Sequence, residues 1–230
     1  MRFLKDFLRV FFPNLCVGCS NELLYSEKVL CNFCSNDLPI FKLDDHTNNI
    51  VTASFYGRTK IEKSLSFLSF NKKNTTQKLI HNLKYNDRQD IGVYLGLWFS
   101  DLLKSNHFMK DIDAIIPVPI HHKKMKKRGY NQVHTFCDSL GESFNIPVYK
   151  STLLRKSNSK SQTSKDRYNR AETIYKDFWL KDEATLRNKH VVLVDDVITT
   201  GATIEACCKE LLKTDNLRIS VLSIAFTENS

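Results

Sequence analysis

The stretch Val191-Val192-Leu193-Val194-Asp195-Asp196-Val197-Ile198-Thr199-Thr200-Gly201-Ala202-Thr203 sets an apolar run directly before two adjacent carboxylates. Hydroxyl and small residues follow. A buried strand ending in carboxylates places them at the C-terminal edge of a sheet, where open α/β folds bind ligands. The turn after it opens a helix, so backbone N–H groups of Thr199–Thr203 can converge on an anion with help from the helix N-terminus. Gly201 lets the backbone come close to that anion, and Thr199, Thr200 and Thr203 add hydroxyl donors. A phosphate held there puts a sugar beside Asp195 and Asp196, whose carboxylates accept from vicinal hydroxyls. The bland alternative is a core strand followed by a helix that Thr199 or Thr200 merely caps. It would leave two unpaired carboxylates at a sheet edge with nothing to offset their repulsion.

Cys16-Val17-Gly18-Cys19 and Cys31-Asn32-Phe33-Cys34 are two C-x-x-C knuckles separated by eleven residues. Two thiolates from each can occupy the corners of a tetrahedron, the spacing of a structural zinc site with no open position for water. Gly18 suits the tight turn inside the first knuckle. A disulfide pair or a redox C-x-x-C would explain the same cysteines, but a reducing compartment disfavours the first and duplication the second. Cys137, Cys207 and Cys208 fall within expected helices and are read as packing residues.

The net charge of +9 is unevenly distributed. Residues 1–45 carry five Lys/Arg against six Asp/Glu. The excess comes from two short stretches expected to be loops. His121–Asn131 holds Lys123, Lys124, Lys126, Lys127 and Arg128 with no acid. Lys150–Arg170 holds seven basic residues, Arg155 and Arg167 among them, against Asp166 alone. Cations gathered this way suit a polyanion, either a pyrophosphate or a nucleic-acid backbone. The aromatic Tyr168 among the cations of the second stretch suits a single strand, although an ordinary surface loop reads the same. His121 and His122 are adjacent, a poor arrangement for sharing one metal ion.

These groups need elements to position them. Thr75–Lys84, Ile91–Lys104, Asn131–Phe144 and Gly201–Lys213 show helical apolar spacing. Asp113–Pro117, His190–Val194 and Leu217–Ala225 read as strands, and Ile50–Tyr56 with Leu65–Phe70 as a hairpin turning near Gly57. Alternation of strands and helices indicates a parallel α/β sheet flanked by helices. Residues 1–45 lack the periodicity of an independent core and need a staple; Asp44–Asn49 reads as the connection to a second unit spanning 46–230. Phe3, Leu4, Phe7, Leu8, Phe11 and Phe12 sit at helical spacing, giving a short N-terminal amphipathic helix rather than a secretory signal. At 42% hydrophobic and 26% charged residues, with no apolar run of membrane-spanning length, a cytoplasmic location is expected.

Taken together, several blocks resemble the ComF family in order along almost the whole chain. They are Pro13-Asn14-x-Cys-x-x-Cys, Leu30-Cys-x-x-Cys with Leu38-Pro39, Leu83-Lys84-Tyr85, Ile115-Ile116-Pro-Val-Pro-Ile-His, Arg128-Gly-Tyr-Asn-Gln132, Leu154-Arg155 with Gln162, and the Asp195-Asp196 loop. That loop is also similar to the thirteen-residue signature of type I phosphoribosyltransferases. The resemblance implies an N-terminal zinc finger joined to a type I phosphoribosyltransferase-like domain. It further implies binding of 5-phosphoribosyl-1-pyrophosphate with magnesium, and handling of incoming single-stranded DNA in natural transformation, with other competence proteins as partners. Thr173 stands where the family usually has Asn, which leaves the role of that position open. An active transferase of unknown acceptor is the alternative, favoured by the intact carboxylate pair; no hood for a nucleophile is identifiable. A zinc-dependent adaptor with a vestigial ligand site is a third reading, opposed by preservation of the whole loop.

Overall fold

A computed structural model describes residues 11, 13–71, 74–156 and 177–228. Most of the expected N-terminal helix, together with Gln162, Arg167, Tyr168, Arg170 and Thr173, therefore lies outside the described residues.

Four strands form a parallel sheet in the order β1-β6-β5-β2. They are β1 (Ser64–Ser69), β2 (Ala114–Pro117), β5 (His190–Ile198) and β6 (Arg218–Phe226). A short antiparallel ribbon, β3 (Leu153–Arg155) with β4 (Phe178–Leu180), stands apart from it. β5 lies between β2 and β6, with Ala114 opposite Val191 and Leu193 opposite Val221. Both of its faces are covered, which is why it reads as a continuous apolar run. Val192 and Val194 enter one core, and Val191 and Leu193 the other.

The first core lies under α3 (Thr75–Tyr85), α4 (Asp90–Asn106) and α6 (His134–Phe144). Phe67, Phe99 and Phe136 are fully buried there, with Phe67 stacked on Phe99 at 4.9 Å. The second core packs α7 (Ala202–Leu211) with the ribbon, burying Ile204, Cys207, Leu211, Leu153 and Phe178. Cys137, Cys207 and Cys208 are buried in these cores, as packing residues should be.

The cysteine-rich segment joins the first core rather than making its own. Leu23, Val29, Leu30 and Leu38 belong to the same cluster as Leu65, Phe67 and Leu79. Its exit chain runs along the sheet edge, where Ser69 N–H donates to the Pro39 carbonyl at 2.8 Å and Phe41 N–H to that of Phe67 at 3.0 Å. A short helix α1 (Asn32–Asn36) carries the second knuckle.

Two expectations are corrected. The hairpin does not form: Ile50–Ala53 is a short helix, α2, and Ser64–Ser69 pairs in parallel with β6. The cause is Asn49, whose side chain accepts from the N–H groups of Val51 at 2.9 Å and Thr52 at 3.0 Å and so starts a helix. The first basic stretch is likewise not a loop throughout. His122–Arg128 is a helix, α5, with no buried residue. Lysine, methionine and arginine are good helix formers. His121 Nδ1 accepts from Lys123 N–H at its start, and Gly129 ends it in the left-handed region at φ 82°. The run Lys126, Lys127, Arg128 sits in the last turn, where cations favour the helix dipole.

Candidate functional site

β5 carries Asp195 and Asp196 to the C-terminal edge of the sheet, and alternation along the strand sends them toward opposite faces. Asp196 is buried and held by two donors: Gln132 Nε2 at 2.5 Å and Lys84 Nζ at 2.9 Å, both to Oδ2. Asp195 is only partly covered by its neighbours, and its Oδ1 accepts from the Asp196 backbone N–H at 2.8 Å. Burial, followed by repulsion from Asp196, pushes the Asp195 carboxyl up to about 7, against the pull of Lys84 and Arg155.

Beyond the carboxylates, Thr199 and Thr200 are exposed at the turn and Gly201 is buried at the N-cap of α7. Gly201 has φ 75°, and a Cβ there would lie 2.9 Å from Phe55 Cε1. Glycine is thus required both by its backbone angle and by the aromatic ring beneath it. Neither threonine acts as N-cap, and the closest approach is Thr200 Oγ1 to Ala202 N–H at a long 3.5 Å. The first turn of α7, with Ala202 and Thr203, therefore presents backbone donors toward the loop, the arrangement that suits an anion. Arg58 flanks it, donating to the Thr200 carbonyl at 2.6 Å and pairing with Glu205 at 2.7 Å.

Three sequence blocks far apart in the chain converge on this site. Lys84 comes from Leu83-Lys84-Tyr85 and Gln132 from Arg128-Gly-Tyr-Asn-Gln132. Arg128 in turn donates to Gln132 Oε1, and its guanidinium lies 5.5 Å from the Tyr85 ring centroid. Tyr130 donates its hydroxyl to the Leu83 carbonyl at 2.6 Å, and Asn131 its amide to the Val118 carbonyl at 2.9 Å. The sequence offered Lys84 and Gln132 only as parts of blocks; that they meet at Asp196 follows from the packing of α3 and α6 on one sheet face. Arg58 gave no signal, because its segment read as a hairpin turn.

Of the basic residues, Lys124, Lys127 and Arg128 line a cavity of about 450 Å³ with Lys84, Tyr85, Asp87 and Tyr130. Lys123 and Lys126 are exposed on α5. Arg155, on β3, pairs with Asp177 at 3.3 Å and lies 5.2 Å from the Phe178 ring centroid, while its charge still reaches Asp195.

Cys16, Cys19, Cys31 and Cys34 form a cluster whose four sulfur atoms all lie within 4.8 Å of one another. Cys19 Sγ and Cys31 Sγ are 3.7 Å apart. A tetrahedral ion with metal–sulfur bonds of about 2.3 Å needs sulfurs about 3.8 Å apart, so the four residues fit a metal ion. Burial resists ionisation of Cys16, but backbone N–H groups of Cys19, Cys31 and Gly18 outweigh it and bring that thiol down to about 6. Cys34 goes the other way, raised by burial and by the neighbouring thiols. Four thiols this close cannot all ionise without a cation among them. Gly18 allows the approach, since a Cβ there would stand 2.7 Å from Cys34 Sγ. No helix among the described residues is long and apolar enough to cross a membrane.

The phosphoribosyl transferase domain family matches residues 136–228. Competence protein F of Haemophilus influenzae is 28% identical over 229 residues, spanning 94% of this chain and 98% of that protein. DNA utilization protein YhgH of Escherichia coli K12 is 27% identical over 154 residues, 65% of this chain and 66% of that one. Competence protein ComFC of Bacillus subtilis is 29% identical over 117 residues, 50% of this chain and 42% of its own length. Among solved structures, the purine phosphoribosyltransferase of Pyrococcus horikoshii covers 59% of this chain and 73% of its own at 20% identity, with a TM-score of 0.38. The chain is thus similar to competence protein F over nearly its whole length and to ComFC over half of it, matches the phosphoribosyl transferase domain family over residues 136–228, and carries an N-terminal four-cysteine cluster.

Proposed function

We propose that the chain binds 5-phosphoribosyl-1-pyrophosphate, with magnesium, at Asp195–Thr203 and handles single-stranded DNA during natural transformation. The observation that carries the sugar ligand is the sequence of groups along β5 and α7. A carboxylate pair at the sheet edge is followed at once by a glycine-capped helix whose first turn offers backbone donors. The 5-phosphate belongs on those amides and on Thr199, Thr200 and Thr203; the ribose hydroxyls belong on Asp195 and Asp196. Magnesium would accompany the pyrophosphate and screen its charge. A hydroxyl reaching Asp196 displaces the Lys84 ammonium or the Gln132 amide, and the released ammonium is then placed for the ligand's phosphates.

The DNA part rests on the named relatives and on α5, whose Lys123, Lys124, Lys126, Lys127 and Arg128 are mostly exposed and suit backbone phosphates. Arg155 is a weaker contributor, because its charge is already matched by Asp177. The four cysteines hold zinc in a structural role, and the protein works in the cytoplasm, alongside other competence proteins.

Calorimetric titration of the sugar pyrophosphate with magnesium tests the ligand. Asp195→Asn with Asp196→Asn is expected to abolish the heat of binding in a folded protein; an unchanged titration rejects the ribose assignment. The second reading is an active phosphoribosyltransferase, favoured by the complete carboxylate pair. Pyrophosphate released in proportion to a consumed acceptor would establish it.

A further inference from the structure

The cavity beside Asp196 is built unlike an ordinary basic surface. Its walls come from the end of α3 (Lys84, Tyr85), from Asp87, from α5 (Lys124, Lys127, Arg128) and from Tyr130. Its roughly 450 Å³ falls within the range of about 300–1,000 Å³ typical of small-ligand pockets. Tyr85 is 62% exposed, an aromatic ring left open to solvent. The Arg128 guanidinium already lies against it, and the His81 ring stands 5.0 Å away. Tyr130 is fixed by its bond to the Leu83 carbonyl, which ties the wall to the α3 backbone. Lys124, Lys127 and Arg128 face one carboxylate, Asp87, while Lys84 beside them pairs with Asp196. A flat π face beside a guanidinium, rimmed by lysines, matches an aromatic ring that carries phosphate.

We propose that this cavity takes one unpaired nucleotide unit of a single strand, the base on Tyr85 and the flanking phosphates on Lys124 and Lys127. We propose in addition that its occupancy is coupled to the sugar site through Gln132. This deepens the DNA reading above and rests on it. A duplex buries its base faces in the stack, so only an unpaired base can lie on Tyr85. The coupling follows from Gln132, which accepts from Arg128 with its Oε1 and donates to Asp196 with its Nε2. A base that moves Arg128 alters the Gln132 amide, and a ribose hydroxyl that displaces that amide alters Arg128. Such coupling is reciprocal: each ligand must change the other's affinity by the same factor.

Fluorescence polarisation of a labelled oligothymidylate with the full chain tests this. Tyr85→Ala is expected to weaken binding about fivefold or more, the loss of one base stack, while Tyr85→Phe, which keeps the ring, stays within about twofold. Lys124→Ala with Lys127→Ala should reduce the salt slope, which Tyr85→Ala leaves alone. The sugar pyrophosphate with magnesium should shift the oligonucleotide affinity, and the oligonucleotide should shift the sugar ligand's by an equal factor.

Unaltered binding by Tyr85→Ala, with a full salt slope in the wild type, overturns the pocket but leaves the DNA reading standing. A wild type that binds no oligonucleotide at about 50 mM salt sinks both. Deoxythymidine monophosphate competing as well as the oligonucleotide, per nucleotide, would make the cavity a small-molecule acceptor site and overturn the strand assignment. Affinities indifferent to the second ligand overturn the coupling.

Discussion

Asp195 and Asp196 are neighbours of the same type held in opposite ways. Asp196 has Lys84 and Gln132 at its carboxylate; Asp195 has burial and the charge of Asp196 against it. A carboxyl raised to about 7 in the folded state holds a proton between roughly pH 4 and 7 that the unfolded chain has lost. Its contribution to stability is complete below pH 4 and disappears as the pH rises through 7. Near pH 8 the ionised Asp195 is therefore a stability cost, discounted because the residue is partly exposed. Asp195→Asn should stabilise the fold at pH 8 by about 1–2 kcal/mol while weakening the sugar ligand, a trade common at binding sites. Asp196→Asn should instead destabilise it by about 1–3 kcal/mol, because Lys84 loses its partner. Urea denaturation at pH 5 and pH 8 separates them: the Asp195 effect fades at the lower pH. Equal shifts in both variants would show that the two carboxylates are not held differently. The sequence displayed both carboxylates; which one is paired depends on Gln132, 64 positions away.

Among the elements, those with strong local signals were legible and those decided by a partner were not. α3, α4, α6, α7 and the strands β2, β5 and β6 fall where apolar spacing put them, within a few residues. β5 runs on to Ile198, past the apolar run, because β6 pairs with it as far as Phe226. The hairpin failed since nothing in Leu65–Phe70 distinguishes a parallel partner from an adjacent antiparallel one. Only the register Ser64 opposite Val221 decides. α5 failed because a run of lysines with no apolar face carries no periodicity to read. The turn into α7 is the element where a single substitution is most informative. Gly201→Ala forces φ 75° on a residue with a Cβ and sets that Cβ 2.9 Å from Phe55. It should cost about 1–3 kcal/mol and weaken the sugar ligand at least as much as it weakens the fold. Thermal melts and calorimetry on the one variant give both numbers; a melt unchanged within a degree would mean that the turn relaxes freely.

At the scale of the whole molecule, α3 joins the two sites that the sequence presented as separate units. Near its start Lys78 donates its ammonium to the Gly18 carbonyl inside the first knuckle. Near its end Lys84 pairs with Asp196 at 2.9 Å. Between them Leu79, Ile80 and Leu83 are buried in the core that also holds Cys16, Leu23, Val29, Leu30, Cys34 and Leu38. The cysteine cluster is therefore a wall of the same core that supports the proposed ribose site, and a metal ion held there would bear on both. A protein stripped of that metal would keep four thiols that must share protons at distances under 4.8 Å, which weakens the packing of the segment on the core. Chelation, or Cys16→Ser with Cys19→Ser, should lower the melting temperature by several degrees and expose the α3 face. The affinity for the sugar pyrophosphate should drop with it, because Lys84 rides on that helix. Melting curves and ligand titrations on metal-loaded and stripped protein measure both effects. If stripping loosens residues 13–45 to proteolysis yet leaves the ligand titration unchanged, α3 is held by the sheet alone and the two sites are mechanically independent.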